Sequence, residues 1–159
     1  MYRVFLSYNA NTNRDEMVAV WRLQTLAAAS GLQLHVPTPV QRLDWTAIAR
    51  MIDDSDSVIA FLTKRATPQV KKELEYALSR QKTVIPIVEK GMTGSPIGSL
   101  LQQPGLRVFE LDTQKPWMME QELAKFLREK RVGKEARESL LALAGTFIGL
   151  YLLQQLTES

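Results

Sequence analysis

Few residues in this sequence are able to do chemistry. There is no cysteine, and the single histidine, His35, sits inside a strand-like run. Thiolate nucleophiles, thiolate metal sites and disulfides are therefore excluded. A metal site would have to be built from carboxylates alone, and no spacing suggests one. Among the carboxylates, Glu73 holds a position that could serve reactive chemistry. On a helix covering it, Val70, Leu74, Ala77 and Leu78 form an apolar stripe at i, i+4, i+7 and i+8. At 100° per residue, Glu73 falls roughly 80° from the centre of that stripe, on its border. A border carboxylate is partly desolvated yet can face a cleft. Glu75 lies further round, nearer solvent. The competing reading of Glu73 is an ordinary solvated helix residue.

Ser7, Tyr8 and Asn9 close the first strand-like run, and Arg42 lies in the loop after the second. A side chain at Tyr8 or Asn9 could stack on a base or bond a phosphate. Equally, Tyr8 could pack the sheet end and Asn9 could start an Asx turn. Arg42 could approach a phosphate or be a solvated loop arginine. Lys64, Arg65, Lys71 and Lys72 form a local basic rim that would attract an anionic dinucleotide or simply stay solvated. Trp21 and Trp45 read as core or helix-packing residues, and His35 as a packed or edge-facing strand residue.

Short runs rich in β-branched and aromatic residues alternate with helix-period segments. Strands are expected at 2–7, 32–36, 57–63, 83–88 and 107–111. Helices are expected at 14–30, 43–53, 67–80 and 117–131. The first should bury Val18, Trp21, Leu23 and Leu26, and Gly31 stands where a left-handed cap is wanted. Thr67-Pro68 is a helix start, with a hydroxyl to cap free amides and proline at the first helical position. Residues 89–105 hold four glycines and two prolines and read as a long loop. Alternating strands and helices imply a parallel sheet covered on both faces. Five such units suit a flavodoxin-like, doubly wound α/β sheet of order 2-1-3-4-5. In such sheets, ligands bind at the carboxyl ends of the strands where the order reverses. Ser7, Tyr8 and Asn9 would wall one side of that crevice and residues 63–67 the other, with Glu73 on the helix leaving this rim.

The runs VFLSY, IDDSDSVIAFLT, TPQVKKELEYA and KTVIPIV resemble the TIR (Toll/interleukin-1 receptor) domain of bacterial type. The family's third-helix pattern is roughly S-x-W-[CV]-x-x-E-L. Thr67 stands at its serine, Gln69 at its tryptophan, Val70 at the Cys/Val position and Glu73-Leu74 at its acidic pair. The loop PTPVQR lacks the family's common Arg-Asp followed by Pro-Gly. The resemblance covers about residues 2–131, which it marks as a TIR domain (1–131), leaving an apolar helical extension (132–159). It implies cleavage of NAD at the nicotinamide–ribose bond, with NAD as substrate and no cofactor. Glu73 would be the catalytic glutamate, and Ser7, Tyr8, Asn9 and Arg42 the binding residues. The departing nicotinamide leaves neutral, so no general acid is needed, and a carboxylate near the ribose suits an oxocarbenium-like transition state.

The extension begins in a basic stretch, Lys125 to Arg137, followed by the uncharged run 139–153. That run is about 15 residues, short of the roughly 20 needed to span a bilayer. Gly145 and Gly149 would permit close helix approach in a membrane, and the basic flank would keep the domain cytoplasmic. The length and the polar ending favour a docking or self-packing helix over membrane contact. The N-terminus turns polar too soon for a secretory signal, so a cytoplasmic protein is expected. The net charge of +3 is scattered, which gives nucleic-acid binding no support.

Three functions remain open. The first is an NAD-consuming enzyme of antiviral immunity, either an NAD hydrolase or a cyclic ADP-ribose-type messenger synthase. The chain's size favours a messenger-producing, Thoeris-like component with a separate effector protein and a homo-oligomeric, TIR–TIR assembly. The second is a non-catalytic adaptor acting by that assembly alone. The third is a nucleoside deoxyribosyltransferase-like enzyme, whose fold shares aspartates before strand three and a glutamate in the next helix.

Overall fold

The computed structural model describes residues 1–9, 14–62, 67–89, 106–112 and 114–144. Five parallel strands form one sheet: β1 (Arg3–Ser7), β2 (Gln33–His35), β3 (Ser57–Leu62), β4 (Thr83–Glu89) and β5 (Phe109–Leu111). Their order is β2-β1-β3-β4-β5, the flavodoxin-like order expected. The helices are α1 (Arg14–Ala29), α2 (Trp45–Asp53), α3 (Pro68–Ser79) and α4 (Pro116–Ala144), with a 3-10 turn at Gln41–Leu43 before α2.

Side chains alternate across the sheet, so each strand feeds two cores. Val4, Leu6, Ile59, Phe61, Ile85 and Ile87 point to one face, where Val20, Leu23 and Ala27 of α1 and Leu123 and Leu127 of α4 cover them. Phe5, Val58, Ala60 and Leu62 point to the other, under Ile48 and Ile52 of α2 and Val70, Leu74 and Ala77 of α3. Every residue of β3 is buried, which explains its unbroken apolar run. Phe5 and Ser7 share a face, so the pleat aims Ser7 at the α2/α3 layer.

Local signals act as expected. Thr67 accepts from the Val70 amide with Pro68 at the first position of α3. Asp44, which falls inside the helix expected at 43–53, instead precedes α2 and caps it by accepting from the Thr46 amide. Gly31 adopts φ +68°, and the bonds Leu32 N–H to Ala27 O (2.9 Å) and Gly31 N–H to Ala28 O (3.3 Å) close a Schellman motif.

Three expectations are corrected. Val18 and Trp21 are 41% and 59% exposed rather than buried. The face α1 turns inward is the one centred on Val20, Leu23 and Ala27, and at 100° per residue Trp21 lies about 130° from its centre. β2 and β5 are three residues each, shorter than their apolar runs, because a strand ends where its neighbour stops pairing. Finally, the helix expected at 117–131 does not end there: α4 passes through residue 131 without a break and continues to Ala144. Among the described residues, no helix is long and apolar enough to cross a membrane. The loop expected at 89–105 lies outside the described residues beyond Glu89, as does the apolar run beyond Ala144.

Candidate functional site

The order of the sheet reverses between β1 and β3, and the carboxyl ends of these strands open the crevice that α/β sheets use for ligands. Three segments meet there: the end of β1, the 3-10 turn after β2, and the first half of α3. Of the residues expected to wall this crevice, 63–66, including Lys64 and Arg65, lie outside the described residues.

Glu73 is at the centre. It is 2% exposed, so the solvated reading fails and the border position turns out to be fully buried. Its angle on the wheel is as the sequence indicates. What buries it is the polar layer formed by β1 and the 3-10 turn, which sequence periodicity does not register. Among the described residues it is the one buried side chain with a formal charge. Ser7, itself fully buried, donates its hydroxyl to Glu73 Oε2. Gln69, one helical turn earlier, donates from Nε2 to Glu73 Oε1 at 3.2 Å. Burial pushes the Glu73 carboxyl above its ordinary value of 4.5, and the two hydrogen bonds and the Arg42 charge oppose that rise only in part.

Arg42 is not a solvated loop residue. Its guanidinium lies 4.1 Å from the centre of the Tyr8 ring, and Nη1 donates to the Tyr8 carbonyl at 3.0 Å. Its Nη2 is buried with no partner among the described residues. Gln69 Nε2 reaches the Arg42 carbonyl at 3.4 Å. Tyr8 is half-buried and offers Arg42 one face of its ring; Asn9, also half-buried, follows at the mouth of the crevice. Four of the five expected site residues, Ser7, Tyr8, Arg42 and Glu73, therefore belong to one contact network, and Asn9 adjoins it. Gln69 is the member that sequence reasoning treated only as a departure from a pattern. The available signal was its i, i+4 spacing to Glu73, which stacks the two side chains on one helix face.

The other candidates fall elsewhere. Lys72 stacks over Trp45 at 4.1 Å, and Lys71 pairs loosely with Glu75, both side chains half-exposed. Trp45 packs edge-on against Tyr76, as a helix-packing residue. His35 is a partly buried residue of the edge strand β2.

A parallel α/β domain with a carboxylate at its switch point is a common architecture, and comparison narrows it. The model of the TIR domain matches residues 4–103, and the chain belongs to that family. The match spans Ser7, Arg42, Gln69 and Glu73. No curated protein matches the sequence. Among solved structures, the chain is similar to a CMP N-glycosidase from Clostridium botulinum, with a TM-score of 0.59 and 20% identity over 76% of this chain and 97% of that one. It is also similar to a de novo designed Rossmann 2x3 fold protein, with a TM-score of 0.50 and 16% identity over 80% and 90% of the two chains. At these identities the likeness is one of fold.

Proposed function

We propose that this TIR domain is an N-glycosidic bond-cleaving enzyme acting on NAD, with Glu73 as its catalytic residue. The observation that carries the reading is a buried carboxylate at the switch point, held from both oxygens by neutral donors. Burying a carboxylate costs several kcal/mol of desolvation if it is ionised, so a fold that keeps one at its ligand crevice points to a use for it. In the proposed reaction the bond between ribose C1′ and the nicotinamide nitrogen breaks. Its electron pair leaves with nicotinamide, which becomes neutral, and water adds to C1′ and gives up a proton. Glu73 would exchange its Ser7 or Gln69 bond for a ribose hydroxyl and stabilise the oxocarbenium-like transition state. Attack by a hydroxyl of the same nucleotide in place of water would yield a cyclic product. The unpartnered Arg42 Nη2 suits a phosphate oxygen, and Tyr8 and Asn9 would contact the rest of the dinucleotide. Assembly into a homo-oligomer, a separate effector and a role in antiviral defence accompany this reading.

A second reading is cleavage of a nucleoside monophosphate, favoured by the likeness to the CMP N-glycosidase. A pyrimidine leaves as an anion unless it is protonated, and a carboxyl whose affinity for protons is raised by burial is suited to supply that proton. Incubation of the purified protein with NAD, CMP and deoxynucleosides, read by chromatography, separates the readings. Release of nicotinamide that is lost in Glu73→Ala supports the first, and release of cytosine supports the second. Nicotinamide release that persists in Glu73→Ala rules Glu73 out. Turnover of no substrate, in assembled as well as dilute protein, leaves the non-catalytic adaptor.

A further inference from the structure

The contacts around Glu73 form a closed ring. Ser7 holds one carboxylate oxygen and Gln69 the other. Gln69 then reaches the Arg42 carbonyl, Arg42 reaches Tyr8, and the chain from Tyr8 leads back to Ser7. Within the ring, Gln69 is the link between α3 and the loop after β2. A carboxamide can do this because its two N–H groups diverge, one toward Glu73 Oε1 at 3.2 Å and one toward the Arg42 carbonyl at 3.4 Å. An aromatic ring at position 69 could not donate both bonds, a glutamate could donate neither when ionised, and an alanine would leave the Arg42 carbonyl unlinked.

We propose that Gln69 is the positioning residue of this site: it sets the orientation of the Glu73 carboxylate and ties that orientation to the loop carrying Arg42. The proposal rests on the reading of Glu73 as the catalytic carboxylate. In consequence, a ligand that draws the Arg42 loop toward itself also pulls on Gln69 and frees Glu73 Oε1 for a ribose hydroxyl. Recognition at Arg42 and reactivity at Glu73 are thereby coupled through one side chain, with no aromatic at position 69 to shape the pocket instead.

Among the described residues, the groups facing Glu73 are Ser7 from β1, Gln69 from α3 and, as the charged one, Arg42 from the loop. The test therefore follows the Glu73 carboxyl carbon by NMR against pH in the unliganded full chain, with 13C-labelled glutamate. In Gln69→Met, which keeps the length and removes both donors, the titration midpoint should move further up, because desolvation is then opposed by one hydrogen bond fewer. A midpoint unchanged from wild type overturns the proposal. A second measurement uses the wild-type protein, so it holds even where the variant folds poorly. The Gln69 side-chain amide signals should change with pH at the Glu73 midpoint, and signals that ignore the Glu73 titration equally overturn it. In the cleavage assay, kcat of Gln69→Met should fall by about 10- to 100-fold with KM nearly unchanged, the signature of a misplaced reacting group. A wild-type protein that cleaves neither NAD nor CMP would remove the proposed activity, while the two titrations would still decide the role of Gln69.

Discussion

The two ends of the sheet handle carboxylates in opposite ways. At the amino end, Asp53 accepts from Tyr76 Oη at 2.8 Å and pairs with Arg80 at 2.7 Å. Asp56 accepts from the Arg3 amide at 2.8 Å and pairs with Lys134 of α4 at 3.0 Å. Lys134 also donates to the Met1 carbonyl at 2.7 Å, so α4 ties down the start of β1. These acids are wetted and matched by cations, and the Tyr76 and Arg80 hydrogen bonds hold the Asp53 carboxyl below its ordinary value. At the carboxyl end, Glu73 is buried and its hydrogen-bond donors among the described residues are neutral; burial pushes its carboxyl up, and these bonds offset that only in part. Paired, solvated charge fastens chain segments at little electrostatic cost. A buried carboxylate is a cost that the fold accepts where ligands bind.

The largest test of this contrast is activity. Glu73→Gln should lower N-glycosidic cleavage by about 10²–10³-fold, whereas Asp53→Asn should leave it within twofold, since Asp53 lies at the far end of the sheet. Equal losses in both variants, measured as kcat/KM, would erase the distinction between the two ends.

Next in size is the anchoring role of Asp56. In Asp56→Ala the Arg3 amide loses its acceptor and the half-buried Lys134 loses one of its partners, which should destabilise the domain by about 1–3 kcal/mol in urea unfolding. A loss no larger than that of a typical surface substitution would show that α4 needs no polar tie to β1.

The pH dependence separates the two ends by sign. The raised folded-state value of Glu73 means that the native state binds the proton more tightly than the unfolded chain does. Its contribution to stability is thus full below the ordinary value of 4.5 and is lost as pH rises through the folded-state value. Glu73→Gln should accordingly melt higher than wild type at pH 7, and the advantage should shrink as the pH falls toward 4. A variant less stable than wild type at pH 7 would mean that the Glu73 hydrogen bonds outweigh its desolvation.

The smallest effect belongs to Asp53, with the opposite sign. Its lowered value gives stability that is present above the ordinary 3.8 and lost as pH falls through the folded-state value. Asp53→Asn should melt slightly below wild type at pH 7, with a gap that narrows in high salt and in acid. A gap that is insensitive to salt would point to packing rather than charge.

Much of this architecture was written locally. Short apolar, β-branched and aromatic runs specify strands and period-3.6 segments specify helices, Thr67-Pro68 and Gly31 specify where helices start and stop, and their alternation implies a parallel sheet that suits a switch point between β1 and β3. The placement of Glu73 on α3 beside the buried stripe follows from helix geometry alone, and the pleat aims Ser7 at the same layer. Tertiary structure decided the rest. Which face of α1 turns inward was decided by packing on the sheet and α4, which buries Val20, Leu23 and Ala27 and leaves Trp21 outside. Whether Glu73 is wet or dry depended on the turn after β2, a segment with no periodicity to read. The partnership of Gln69 with both Glu73 and the Arg42 carbonyl joins residues 27 positions apart. Spacing within one helix predicts half of that link, and only the docking of the loop against α3 supplies the other half.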